Sequence, residues 1–120
     1  MGEPKKPLDV AIALTKAWTS RDMTTAARYV DENVVFDGPM QQSTGAKPYL
    51  DGLARLGKEV TDLHLLAAFG DDEQALLMYD LVTTSYGTLT CAKHVLVKDG
   101  KVRHDKLTFD SNKIRSAKAA

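Results

Sequence analysis

The sequence predicts an α+β domain, and three observations carry the prediction. Apolar residues recur with helical spacing as far as Gly57, the period drops from about 3.6 to about 2 after it, and turn residues cut the later half into strand-length segments. Helical segments followed by an uninterrupted meander of strands describe a layer of helices on a mainly antiparallel sheet, not an alternating βαβ array.

From Leu8 to Ser20, Val10, Leu14, Ala17 and Trp18 recur at i, i+4, i+7 and i+8, with Thr15, Lys16 and Thr19 between them. This is the stripe of an amphipathic helix, with Trp18 anchoring the core. Asp22 offers a cap to a short second helix containing Ala26, Ala27 and Tyr29, which the Asp31-Glu32-Asn33 cluster ends. Val34-Val35-Phe36-Asp37 is a short β-prone run closed by Gly38-Pro39, so Asp37 ends a strand on the face of Val35. Thr44 and Gly45 precede a third helix with Pro48 in its first turn and Tyr49, Leu50, Leu53 and Leu56 along one side. Its glycines, Gly52 and Gly57, cost ~1 kcal/mol each relative to alanine, which points to close packing against another element. Residues 62–69, 74–84, 88–98 and 101–110 read as strands, divided at Gly70-Asp71-Asp72, Gly87 and Asp99-Gly100. Residues 1–7 and 111–120 lack periodicity and read as loose tails around a single domain, 8–110.

Composition narrows the function. A chain of 120 residues, 43% hydrophobic and 27% charged, has room for one modest core. Basic and acidic residues both number 16, so no basic surplus is available to neutralise a phosphate backbone and no nucleic-acid partner is expected. Apolar runs are far shorter than the ~20 residues of a membrane span, and the start carries no signal-peptide h-region. Lys6 stands where an acylation signal wants Ser or Thr. A soluble cytoplasmic protein without a membrane partner is the expectation. Cys91, the single cysteine, lies in a strand pattern and reads as a buried structural thiol. His64, His94 and His104 fall on separate strands without metal-ligand spacing, so no metal is expected, and the absence of a glycine-rich phosphate loop or a Gly-x-Ser-x-Gly turn points to no cofactor and no serine nucleophile.

The order of elements, the Asp37-Gly38-Pro39 corner after the first strand and the closing stretch DGKVRHDKLTFD together resemble the nuclear transport factor 2-like superfamily, closest to its SnoaL-like branch. That branch includes ketosteroid isomerases, limonene epoxide hydrolases and polyketide cyclases. The resemblance covers about residues 8–110 and implies a cone-like domain, its three amino-terminal helices packed on a strongly curved, mixed sheet, and often a homodimer. Its members run from isomerases and hydrolases to non-catalytic binding or transport proteins. Asp37 stands at a place similar to the isomerases' general-base aspartate. Leu14 and Lys93 fall near their oxyanion-stabilising tyrosine and protonated aspartate. Asp80 matches the middle-strand aspartate of the epoxide hydrolases' Asp-Arg-Asp set, where Met78 and Leu107 take the other two places.

Strand parity supplies a pocket. A three-residue turn with Gly100 left-handed pairs Val97 with Lys101 and Lys93 with Asp105, placing Leu89, Cys91, Lys93, Val95 and Val97 on one face with Arg103, Asp105, Leu107 and Phe109. A two-residue turn would instead oppose Lys93 to Lys106, and the first register is preferred because it pairs opposite charges. Residues 74–84 are apolar on both faces, and the resemblance turns the Asp80 face inward. The expected site is therefore Asp37, Asp80, Lys93 and Asp105 among Trp18, Val35, Met78, Val95, Leu107 and Phe109, a mixture typical of small-molecule pockets. It suits a cofactor-independent isomerase, cyclase or hydrolase acting on a small, mostly apolar molecule. Asp37 would be the general base, Lys93 the stabiliser of developing negative charge, Asp105 its support and Asp80 an accessory acid or base. Against this stand a turn-capping role for Asp37, a structural Lys93–Asp105 salt bridge, a solvated Asp80 and, for the whole chain, a ligand carrier or dimerisation module.

Overall fold

The computed structural model describes residues 5–119, with side chains as far as Ala117. The element order is α1 (Pro7–Thr19), α2 (Met23–Ala27), β1 (Val30–Asp37), β2 (Gln42–Thr44), α3 (Ala46–Gly57), β3 (Val60–Gly70), β4 (Gln74–Thr83), β5 (Thr88–Lys98), β6 (Lys101–Thr108) and α4 (Asn112–Ala119). Residues 1–4 of the expected amino-terminal tail, and Ala120 of the other, lie outside the described residues. No described helix is long and apolar enough to cross a membrane.

The strands form one sheet in the order β2-β1-β6-β5-β4-β3. Only β1 and β6 run parallel; every other neighbouring pair is antiparallel, so the sheet is mixed and mainly antiparallel as expected. Helices α1 and α3 lie across one face, α1 against β3 to β6 and α3 against β1 and β2. Between helices and sheet sits the core, with Val10, Leu14 and Trp18 of α1, Tyr49 and Leu53 of α3, and Leu77, Tyr79, Leu81, Leu89 and Val95 of the sheet all at most 5% exposed.

Local chemistry explains the helices. Pro7 opens α1, where a missing N–H costs nothing. The Asp22 carboxylate accepts a hydrogen bond from the Thr25 N–H and caps α2. Gly45, at φ 103°, turns the chain into α3 in a conformation that favours glycine. Gly57 packs as its position suggests: a Cβ there would lie 2.7 Å from the Trp18 carbonyl oxygen. Gly52 is not so confined, its nearest neighbour being the Gln41 side chain at 3.4 Å.

Several expectations need correction. The Asp31-Glu32-Asn33 cluster does not follow a helix but lies within β1, where the register to β6 shifts between Val30 and Val35. Gln42–Thr44 is a strand, paired with Val35–Asp37. The stretch expected as a loose carboxy-terminal tail contains α4, held down by Ile114, which is 6% exposed. The turn after β5 has two residues, Asp99 at φ 54° and Gly100 at φ 76°, as in a type I′ hairpin, and pairs Lys98 with Lys101. A bulge at Arg103 then resets the register, so that Val95 opposes Asp105 and Lys93 opposes Leu107. Arg103 is thereby exposed and Val102 takes the inward place.

Candidate active site

At the centre of the core, between α1, α3 and the sheet, lies a buried polar niche. β5 delivers Lys93 and β6 delivers Asp105, both inward because alternation puts them on the face of Val95 and Leu107. They are 1% and 0% exposed, and Lys93 Nζ stands 3.3 Å from Asp105 Oδ2. Tyr49, on the buried stripe of α3, donates its phenolic hydrogen to the same oxygen at 2.5 Å. The rings of Trp18 and Tyr79 flank the lysine, with centroids 5.8 Å and 6.0 Å from Nζ, which adds cation–π attraction to the ion pair.

The niche is incompletely satisfied. Trp18 Nε1, Tyr79 Oη, Lys93 Nζ and Asp105 Oδ1 are all buried without a hydrogen-bond partner, and Lys93 meets Asp105 as an ion pair only. Each such group costs about 1–3 kcal/mol, so proteins retain few of them without a reason. Chemically the set comprises three donors and one carboxylate acceptor. Burial, then the Asp105 charge, holds the Tyr49 phenol well above its ordinary range, so it is a neutral donor. Tyr79 is pushed up in the same way, first by burial. Burial also raises the Cys91 thiol to about 12, against a lowering influence of Lys93, which agrees with an inert structural thiol.

Beside the niche opens a cavity of about 330 Å³. Phe36, Leu53, Leu56, Leu107, Phe109 and Ile114 supply its apolar wall, and Gly38 to Gln41, Gly52, Arg55 and Tyr86 complete it. Tyr49 and Leu107 belong to both spaces: Tyr49 lines the cavity while its hydroxyl reaches Asp105, and Leu107 lies across from Lys93. Lys93 and Asp105 themselves do not line the cavity. The Tyr49 ring is held by Phe36, centroids 5.4 Å apart.

Of the residues expected at the site, the fold brings together Lys93, Asp105, Trp18 and Val95 in the buried centre, and Leu107 and Phe109 on the cavity wall. The others lie elsewhere. Tyr79, not Asp80, faces inward on β4, which leaves Asp80 on the outer face accepting a hydrogen bond from Thr90 and Met78 44% exposed. Val35 is 42% exposed and lines an outer groove with Arg103 and His104. Asp37, sharing Val35's parity, is half-buried beside Gln42, whose amide it accepts at 3.1 Å, and lies outside the cavity lining. Tyr49 is the site residue that the sequence did not single out. Its place on an apolar helical stripe reads as core, and Asp105 lies 56 residues away. His94 and His104 lie on the outer face of the sheet, and His64 pairs with Asp62 at 3.0 Å. Among the described residues no cluster of His, Cys, Asp or Glu could hold a metal ion.

Comparisons with known proteins agree with this architecture. No curated protein is significantly similar in sequence. A crystal structure of a protein from Kribbella flavida is 32% identical, with a TM-score of 0.92 over 97% of this chain and 96% of that one. A second Kribbella flavida protein, described as a candidate ketosteroid isomerase, is 19% identical, with a TM-score of 0.72 over 86% of this chain and 76% of its own. An epoxide hydrolase from M. tuberculosis, similar to the limonene enzyme, is 15% identical, with a TM-score of 0.74 over 92% and 86%. These last two likenesses show the fold alone, which is the nuclear transport factor 2-like cone. The SnoaL-like domain model matches residues 11–104, from within α1 to the middle of β6, and the chain belongs to that family.

Proposed function

We propose that the protein is a cofactor-independent acid–base enzyme acting on a mostly apolar small molecule that enters through the cavity. The observation that carries this reading is the unsatisfied Lys93–Asp105 pair lying directly behind two residues of an apolar cavity. Asp105 Oδ1 is the free acceptor and takes a proton from an acidic C–H or O–H of the substrate, whose electron pair passes to the substrate's oxygen. The Lys93 ammonium stabilises negative charge developing on a carbonyl or hydroxyl oxygen, in surroundings of low dielectric where such a donor acts strongly, while the Tyr49 hydroxyl holds Asp105 by its other oxygen. Asp37 and Asp80, away from the niche, drop out of this assignment. Isomerase and epoxide-hydrolase folds among the structural neighbours support an enzyme without naming the reaction.

The separation of Lys93 and Asp105 from the cavity favours a second reading, a non-catalytic carrier that binds its ligand in the apolar part alone. Asp105→Asn separates the two. On the enzyme reading this variant binds the wild-type ligand and leaves it unchanged while the wild type converts it. Wild-type protein that returns a bound compound unaltered across a panel of ketones, epoxides and lactones would establish the carrier instead.

The outer face of the sheet bears Phe69, Leu76, Met78 and Leu96, all between 41% and 69% exposed. Such a patch fits burial against a second copy, and a homodimer is part of the proposal. Sedimentation of Met78→Lys as a monomer, beside a dimeric wild type, is the expected result.

A further inference from the structure

We infer that the cavity takes an amphipathic monoanion, an apolar ring or chain carrying a carboxylate, held with its head against Arg55 at the mouth. This rests on the cavity being the ligand site proposed above and names the ligand's class. Among the described residues Arg55 is the only charged one lining the cavity, and the rest of the wall is mainly aromatic and aliphatic side chains. It stands near the end of α3, exposed, with its guanidinium 3.4 Å from the Gln41 side-chain oxygen. No carboxylate among the described residues pairs with it. Among the described residues, four of its five N–H donors therefore have no partner.

The geometry orients the ligand. A guanidinium presents a planar fork that matches a carboxylate in two hydrogen bonds, and Gln41, already beside it, carries an amide that can donate a third. The apolar end then points past Leu53 and Leu56 toward Leu107, Phe109 and Ile114, with Tyr49 on the way to the buried niche. A ligand bound in the opposite sense would bury its carboxylate against apolar side chains and toward a lysine already paired with Asp105, at a prohibitive desolvation cost. The mouth thus sets polarity and the wall sets length.

The test compares 6-phenylhexanoate with its neutral twin, 6-phenylhexan-1-ol, by methyl NMR titration of the Leu107 and Ile114 signals at pH 7 and low salt. The acid should bind about fivefold more tightly, the strength of a well-formed but solvent-accessible pair. Raising the salt should shrink the difference. Arg55→Gln should bind both compounds alike, at the alcohol's affinity, and Arg55→Glu should prefer the alcohol. Arg55 is exposed, so neither variant threatens folding. Equal binding of acid and alcohol by the wild type, or a preference that survives Arg55→Gln, overturns the inference while leaving the cavity a ligand site. Cavity signals that respond to neither compound overturn the cavity reading and the inference together.

Discussion

Replacing Lys93 by methionine tests the buried niche most directly. The lysine is 1% exposed and its partner Asp105 is 0% exposed, so the substitution keeps the approximate volume and strands a carboxylate in the core. Breaking a buried pair on one side costs about 3–5 kcal/mol, a large part of the ~5–15 kcal/mol that holds a domain folded. Tyr49 still donates to Asp105, which argues for the lower half of that range. With a urea m value of about 1.5–2 kcal/mol/M, the unfolding midpoint should fall by about 2 M. The assay is urea denaturation followed by fluorescence of Trp18, the only tryptophan, which is 0% exposed and stands 5.8 Å from the lysine nitrogen. Tyr49→Phe removes one hydrogen bond to a charged group and should cost less, about 1.5–3 kcal/mol. The double variant Lys93→Met/Asp105→Leu removes both charges and should recover most of the loss. A Lys93→Met variant within about 1 kcal/mol of wild type, or a double variant weaker than the single, would refute the buried ion pair.

Other predictions concern backbone, pH and the outer face. Gly57→Ala forces a Cβ to within 2.7 Å of a backbone oxygen and should cost about 1–3 kcal/mol, whereas Gly52→Ala, meeting only a flexible glutamine at 3.4 Å, should be neutral or stabilise by up to ~1 kcal/mol. Thermal denaturation of the two variants decides this. Burial raises Cys91 from 9.0 to about 12, so above pH 9 the unfolded chain releases a proton that the folded chain keeps. Stability that is fully present below pH 9 is then lost between pH 9 and 12, about 1.4 kcal/mol per unit and about 4 kcal/mol in all. Tyr49 and Tyr79 add to the loss above pH 10, so Cys91→Ala should flatten urea-derived stability mainly between pH 9 and 10. Asp37→Asn and Asp80→Asn, made away from the niche, should each change stability by no more than about 0.5 kcal/mol and leave any turnover intact, as kcat/KM on the wild-type substrate will show.

The parts of the fold legible in the sequence are those whose signal is local. The stripe Val10, Leu14, Ala17, Trp18 needs only its own helix to be recognised, and the meander announces itself by its turns. The missed elements draw their structure from elsewhere. Gln42–Thr44 contains no apolar residue and is a strand because Val35–Asp37 offers it hydrogen bonds. In α4 the buried Ile114 seats a mostly polar helix, and one apolar residue has no period to read. The orientation of β4 was concealed by its outer face, where Leu76 and Met78 are 52% and 44% exposed; with apolar residues on both sides, alternation carries no sign. Tyr49 shows the same limit at the site, since its stripe marks it as core and only the distant Asp105 gives its hydroxyl a task.

The niche itself was legible through an incorrect register, for a physical reason. Moving from a three-residue to a two-residue turn shifts β6 by one place and should have turned Asp105 outward. The extra residue at the bulge shifts it once more, so parity beyond the bulge is restored and Asp105 and Leu107 face inward in both descriptions. What changes is confined to the residues between turn and bulge. There the two-residue turn leaves Lys98 and Lys101 opposed in solvent, where like charges are well screened, and puts Val102 in the core at 0% exposed instead of Arg103. The shift also moves the ion pair from directly opposite to diagonal, with Leu107 across from Lys93 and Asp105 across from Val95. That offset lets Tyr49 approach Asp105 from α3 while Leu107 faces the cavity, so the bulge at Arg103 is what joins a buried charge pair to an apolar ligand space. Deleting Arg103 removes the one residue of this stretch that has no partner on β5, so Val102 and Asp105 should both stay inward in strict alternation, and a deletion variant in which Asp105 became exposed would refute this register.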